Sequence, residues 1–113
     1  MTDATRGILC SRTFDRLARG AAIVNVGRGQ HLCIDDLQLA LHSGQLRGAV
    51  LDVFEHEPLP AEHALWHMPG VVITPHMASA ASHACIARQV AENTRRLLSG
   101  EVLNNLVDPL LGY

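Results

Sequence analysis

The chain is predicted to be an α/β protein built on a short parallel sheet and closed by a long C-terminal helix. Three observations predict it. Helical and strand-like segments alternate along the sequence, which favours parallel strands joined by right-handed crossovers. The strand candidates are continuous apolar runs, a pattern suited to strands covered on both faces. Each run then stops at a polar or proline-marked turn, where α/β proteins place their chemistry.

Residues 1–7 are polar, and Ile8-Leu9 is a brief apolar touch. Ser11 can cap a short helix running to Leu17, with Phe14 and Leu17 on one face, and Arg19-Gly20 ends it. Residues 21–26 form the first strand, an apolar run broken only by Asn25 and stopped by Gly27-Arg28-Gly29. Ile34 to His42 is predicted helical from an apolar stripe of Ile34, Leu37, Leu41 and Leu39-Ala40, with Asp35 and Asp36 in the first turn, where they complement the helix dipole, and Ser43-Gly44 at its end. Residues 48–53 form the second strand. A loop over residues 55–70 carries Pro58, Pro60 and Pro69 and a short helical piece near Glu62 to Trp66. Residues 71–74 form the third strand, closed by Pro75. The longest helix is predicted from about Ala80 to Leu98 and stops at Gly100. Three strands are few for an independent doubly wound sheet, so the chain looks like the second half of one.

Composition narrows the function. The chain has 113 residues, 48% of them hydrophobic but only 4% aromatic, so one small aliphatic core is expected. The nine basic residues are all arginine, which excludes Schiff-base chemistry and a P-loop lysine. A formal net charge of −2 gives no footprint for nucleic acid. No apolar run reaches the roughly 20 residues of a membrane span, and residues 1–7 lack the apolar core of a signal peptide. Cys10, Cys33 and Cys85 form no C-x-x-C pair and read as reduced, packed thiols. A soluble, cytoplasmic protein is expected.

Four residues carry the chemistry. Arg28, Asp52 and His76 each follow an apolar run, and Glu57 lies on the loop just past the second. A parallel sheet would bring all four to the carboxyl edge of its strands. Each alone has an ordinary explanation as well as a functional one. Arg28 is a solvated loop cation, or a planar fork for a carboxylate let in by its flanking glycines. Asp52 ends a buried strand and must find partners, either in a neighbouring loop or in a ligand amide. Glu57 and His76 are a solvated acid and a helix-capping histidine, or an acid–base pair. Gly27-x-Gly29 is not a dinucleotide fingerprint, since G-x-G-x-x-G requires glycine at position 32, which is Leu32. His63 and His67, four apart and near His56, raise a metal module, but there is no H-E-x-x-H and Pro69 cuts the helix short. No metal is expected.

Three linked motifs make the chain resemble the D-isomer-specific 2-hydroxyacid dehydrogenases. They are Ile-Val-Asn-Val-Gly-Arg-Gly at 23–29, Gly-Ala-Val-Leu-Asp-Val-Phe-Glu-His-Glu-Pro-Leu-Pro at 48–60, and Ile-Thr-Pro-His at 73–76. The spacings agree too: 24 from Arg28 to Asp52, 5 to Glu57 and 19 to His76. Leu65-Trp66 and the closing Gly112-Tyr113 resemble the glyoxylate/hydroxypyruvate reductase A branch.

The resemblance implies a partial Rossmann-like parallel sheet, the second half of an NAD(P)-binding domain spanning residues 1–113. Its helix and tail over residues 80–113 would return to a missing substrate domain. It implies a reductase of a small 2-oxo acid using NAD or NADP. Arg28 would clamp the substrate carboxylate and 2-oxo group. His76 would protonate the carbonyl oxygen, and Glu57 would hydrogen-bond His76 and keep it protonated. Asp52 would face the nicotinamide carboxamide, while Val26, Gly27, Thr5, and Ala78 in the turn after His76, would line the cofactor. Members of the family are roughly three times longer, so the glycine-rich loop and the ribose-reading residue are expected outside this chain, and a homodimer or a missing N-terminal half is the expected partner. The tail is less basic than in close relatives. The rival expectation is a non-catalytic remnant or interaction module.

Overall fold

The computed structural model describes residues 1–110; the Gly112-Tyr113 resemblance lies outside the described residues. The chain forms two compact units, one over Asp3–Ala78 and one beginning at Ser79.

The first unit is a three-stranded parallel sheet in the order β1-β2-β3, with β1 at Ala21–Asn25, β2 at Leu46–Leu51 and β3 at Val71–Ile73. Asn25 is in register with Leu51, and Leu51 with Ile73. All three strands therefore finish level, and the residues that follow them emerge along one edge. That edge is continued past the strands by backbone bonds, from the Asp52 N–H to the Asn25 carbonyl at 3.0 Å and from the Thr74 N–H to the Leu51 carbonyl at 3.0 Å.

Two helices precede β2: α1 at Ser11–Phe14 and α2 at Ile34–His42. The core is aliphatic around one ring. Phe14, Leu37, Leu46, Leu51 and Leu65 are fully buried, with Ile23, Ala40 and Ala49 beside them. The leucine stripe of α2 seats Leu37 and Ala40 in this core, the period expected of a helix covering a sheet.

The observed helix α2 has the bounds its periodicity predicts, whereas α1 is shorter and capped differently. It stops at Phe14, and only successive turns reach Leu17. Ser11 is not its cap: the N-cap position is Cys10, with no side-chain cap bond, and Asp36 Oδ2 accepts the Ser11 N–H at 2.8 Å. A carboxylate from α2 thus fills an orphan donor at the start of α1.

The strands also depart from the expectation of cover on both faces. In β1 Ile23 and Asn25 are buried but Val24 is 61% exposed, and in β3 Val72 is 55% exposed. Apolar content on both faces made the strands legible, and the unit covers one of them. β2 begins two residues before Gly48 and ends before Asp52, and β3 ends before Thr74. These polar residues follow their strands rather than closing them.

The second unit holds α3, His83–Leu98. It starts three residues later than Ala80 because Ser82 is its cap, with Oγ accepting the Cys85 N–H at 3.2 Å. Gly100, at φ 72°, ends it: the Glu101 N–H reaches the Arg96 carbonyl at 2.9 Å, the closure that a left-handed glycine permits. Glu92 pairs with Arg95 and Arg96 on the helix, and Glu101 pairs with both from beyond it. Among the described residues no helix is long and apolar enough to cross a membrane.

Candidate active site

The C-terminal edge of the sheet gathers the predicted residues through three turns. The first follows β1. Buried Asn25, only 3% exposed, turns its amide under the loop: Oδ1 accepts the Gly27 N–H at 3.2 Å and Nδ2 donates to the Arg28 carbonyl at 3.0 Å. Arg28 is thereby held extended and exposed, ahead of a single 3-10 turn over Gly29–His31. Its Nη1 donates to the Gly27 carbonyl at 2.7 Å. Gly29 is required by the neighbouring loop, since a Cβ there would stand 1.9 Å from the Phe54 carbonyl carbon. Gly27 backs onto His31, whose Nδ1 would lie 3.0 Å from a Cβ at that position.

The second turn follows β2. Asp52 is 2% exposed, so its carboxylate must be paired. Oδ1 accepts the Thr74 hydroxyl and, at 2.9 Å, the Met77 N–H, and Oδ2 accepts the Ala78 N–H at 2.9 Å. The Thr74 hydroxyl bond and then the Met77 N–H hold this carboxyl below its ordinary range. The two readings left open for Asp52 are therefore weighted by geometry: it ties down a neighbouring turn. A carboxylate has about four acceptor positions, and three of them are filled from within the chain.

The third turn carries His76 beyond Pro75. Its Nδ1 lies 2.8 Å from Glu57 Oε2, while Glu57 Oε1 accepts the Phe54 N–H at 2.8 Å. The His76 bond, then the Phe54 N–H, pull the Glu57 carboxyl below its usual value. His76 has φ 51°, a left-handed conformation that costs a non-glycine residue about 1 kcal/mol or more. With Nδ1 on the carboxylate, Nε2 is the ring nitrogen left for a ligand. A cavity of about 440 Å³ adjoins the pair, walled by Asp52, Phe54, Glu57, Trp66, Pro75 and His76.

The structure thus joins Glu57 to His76 directly and Asp52 to the turn after His76. Arg28 stands on the adjacent turn, whose backbone is linked to that of Asp52 through Asn25. Val26 is 53% exposed, and Ala78 enters by its backbone. Thr5 ends a 3-10 turn over Asp3–Thr5, and the strand-like segment after it joins the Arg28 loop from Gly7 N–H to the Gln30 carbonyl at 2.9 Å and from Leu9 N–H to the His31 carbonyl at 2.8 Å.

Three contributors are given no role by the sequence. Asn25 appears there as a break in an apolar run and inside the 23–29 motif, although a lone buried amide at a strand end is itself a signal. Thr74 offers none, because its partner is 22 residues away. Trp66 walls the cavity with its Nε1 donating to the Pro60 carbonyl at 2.8 Å, a bond that follows from the path of the proline loop.

His63 is a cap, its Nδ1 accepting the Leu65 N–H at 3.2 Å ahead of the 3-10 turn over Ala64–His67. Among the described residues no three His, Cys, Asp or Glu side chains group to hold a metal ion. The three cysteines are free thiols.

Comparison with known proteins shows the family. Residues 1–78 match the family model described as D-isomer specific 2-hydroxyacid dehydrogenase, NAD binding domain. A glyoxylate/hydroxypyruvate reductase A from Serratia proteamaculans (strain 568) is 46% identical over 112 residues, 99% of this chain. The chain spans 36% of the length of that relative. Among solved structures, a D-isomer specific 2-hydroxyacid dehydrogenase from Xanthobacter autotrophicus Py2, in complex with NADPH and MES, is 45% identical. It superposes with a TM-score of 0.91 over 100% of this chain and 47% of that one. An NADPH-dependent glyoxylate/hydroxypyruvate reductase from Sinorhizobium meliloti, in complex with NADP and sulfate, is 40% identical, with a TM-score of 0.88 over 100% of this chain and 37% of that one. With the family model covering the whole sheet and all three turns of the site, this chain belongs to the D-isomer-specific 2-hydroxyacid dehydrogenases, in the part that forms their NAD-binding domain.

Proposed function

We propose that this chain is the acid–base part of an NAD(P)H-dependent reductase of small 2-oxo acids, with glyoxylate and hydroxypyruvate as the candidate substrates. The observation that carries the reading is the 2.8 Å contact between His76 Nδ1 and Glu57 Oε2, at the same sheet edge as the Arg28 turn. The residues present suit a nicotinamide: Val26, 53% exposed, offers an open end beyond β1 beside Gly27, and Asp52, which accepts three of about four possible hydrogen bonds, would take a carboxamide N–H as the fourth. Thr5, Arg28, His76 and Ala78 complete the proposed lining.

The dinucleotide, when bound, supplies the hydride. The protein's part is to hold and protonate the acceptor. Arg28 offers a guanidinium fork to the substrate carboxylate and 2-oxo group, fixing its orientation and meeting the charge that develops on oxygen. His76 donates a proton from Nε2 to that oxygen, and Glu57, by accepting Nδ1–H, fixes the ring and its tautomer. In the longer protein that the relatives' length implies, α3 and the residues after it return towards a substrate domain, and the partner is that N-terminal part or a second copy.

The test joins this chain in frame to the N-terminal portion of the Serratia proteamaculans relative and follows NADPH and NADH consumption with glyoxylate and hydroxypyruvate. Substrate-dependent turnover is expected from the joined protein and little from the 113-residue chain alone. His76→Ala should lower kcat by on the order of 10²-fold or more. Full rate with His76→Ala would sink the assignment, and a folded but inactive joined protein would favour a non-catalytic remnant.

A further inference from the structure

We propose that Asp52 is the positioning residue that sets His76, holding the histidine's turn from both sides so that the imidazole meets Glu57; the role rests on the reading of His76 as proton donor. Asp52 senses the ring only through its charge; its hydrogen bonds go to the turn on either side. It accepts from the Thr74 hydroxyl, two residues before His76, and from the N–H groups of Met77 and Ala78, the two residues after it. Between these anchors the His76 N–H reaches the Thr74 carbonyl at 3.1 Å and the backbone is left-handed, with φ 51°. That conformation is uncommon outside glycine, although histidine enters it more readily than most residues. One buried carboxylate satisfies both N–H groups beyond it, and its own N–H is fixed to the Asn25 carbonyl at 3.0 Å. The direction of the imidazole is thus dictated by β2 through Asp52, while Glu57 receives the ring where the turn presents it. Asparagine cannot replace this residue, because its NH₂ would face an N–H where Oδ2 or Oδ1 now accepts.

The test measures how strongly Glu57 and His76 sense one another in the 113-residue chain. The His76 ring is titrated by NMR on histidine-labelled protein, with and without Glu57→Gln, in five backgrounds: wild type, Asp52→Ala, Asp52→Asn, Thr74→Val and Thr74→Ser. The shift that Glu57→Gln produces should be full in wild type and Thr74→Ser. It should shrink roughly twofold or more in the aspartate variants and less in Thr74→Val. The core resonances of Phe14 and Leu37 should stay in place. An unchanged Glu57→Gln shift in Asp52→Asn, with those core resonances intact, would overturn the proposal. Should both aspartate variants lose the core, the threonine pair decides: equal shifts in Thr74→Val and Thr74→Ser overturn it, and a loss restored by serine supports it. The reductase reading fails separately, through a joined protein indifferent to His76→Ala while this coupling persists.

Discussion

Glu57 divides its two oxygens between His76 and the backbone, giving Oε2 to the His76 Nδ1 and Oε1 to the Phe54 N–H, each at 2.8 Å. Both bonds favour the ionised acid, so its folded pKa lies below the ordinary 4.5. A group shifted this way contributes stability that is complete above its unfolded value and is lost as pH falls through the lowered one. Asp52 adds a contribution of the same sign, from an ordinary 3.8. Stability should therefore begin to fall below about pH 4.5. Urea midpoints measured against pH should show Glu57→Gln weaker near neutrality and flatter in acid. Curves for the variant and the wild type that run parallel throughout would remove Glu57 from the account.

Gly29 is a requirement of packing. A Cβ there would stand 1.9 Å from the Phe54 carbonyl carbon and 2.2 Å from the Glu55 nitrogen. Both are backbone atoms, so neither can swing away as a flexible side chain would. Gly29→Ala should cost about 3 kcal/mol or more, beyond the usual range for one added methyl in a tight core, and denaturant unfolding will read it. A loss under about 1 kcal/mol would mean that the Phe54 loop yields freely.

Asn25 should behave as part of the site although it faces the interior. Asn25→Leu extends the apolar run of β1 and fits a strand pattern, yet it strands the Gly27 N–H and leaves the Arg28 carbonyl with only the His31 N–H at 3.1 Å. Leaving an N–H of this kind unpaired costs about 1–3 kcal/mol where water cannot replace the bond. The expected result is a destabilised chain and, in the joined enzyme, a raised KM for the 2-oxo acid with a smaller change in kcat. An unaltered KM would show that the Arg28 turn stands without its amide.

Much of this was legible because the relevant signals were local. The leucine period and the Ser43-Gly44 stop gave α2 its bounds, and the apolar runs located all three strands. Arg28, Asp52, Glu57 and His76 could be placed at one edge because parallel strands point their carboxyl ends the same way. What stayed hidden depends on pairs distant in sequence. Ser11 looks like a cap until Asp36, 25 residues on, takes its N–H. Asp52 looks equally suited to a ligand or a loop until Thr74, Met77 and Ala78 converge on it. Cover on both sheet faces was inferred from composition, which reports what a strand can bury and not what lies against it.

Arg28 gives the sharpest separation between charge and shape. Its guanidinium stands on a turn fixed by Asn25 and by the Gly29–Phe54 approach, so its position owes little to its own side chain. Arg28→Lys keeps the charge and should leave unfolding unchanged, since the Arg28 side chain is exposed and its one hydrogen bond goes to the adjacent Gly27 carbonyl. The ammonium cannot reproduce two parallel N–H bonds to a carboxylate. In the joined enzyme kcat/KM should fall on the order of 10²-fold, the scale seen when one preorganised donor is lost from a site of developing charge. The loss should appear in both KM and kcat, because the same fork holds the carboxylate in the ground state and the oxygen in the transition state. Steady-state kinetics of the joined protein decide it: a lysine variant that keeps its rate would mean that only the charge matters at this turn.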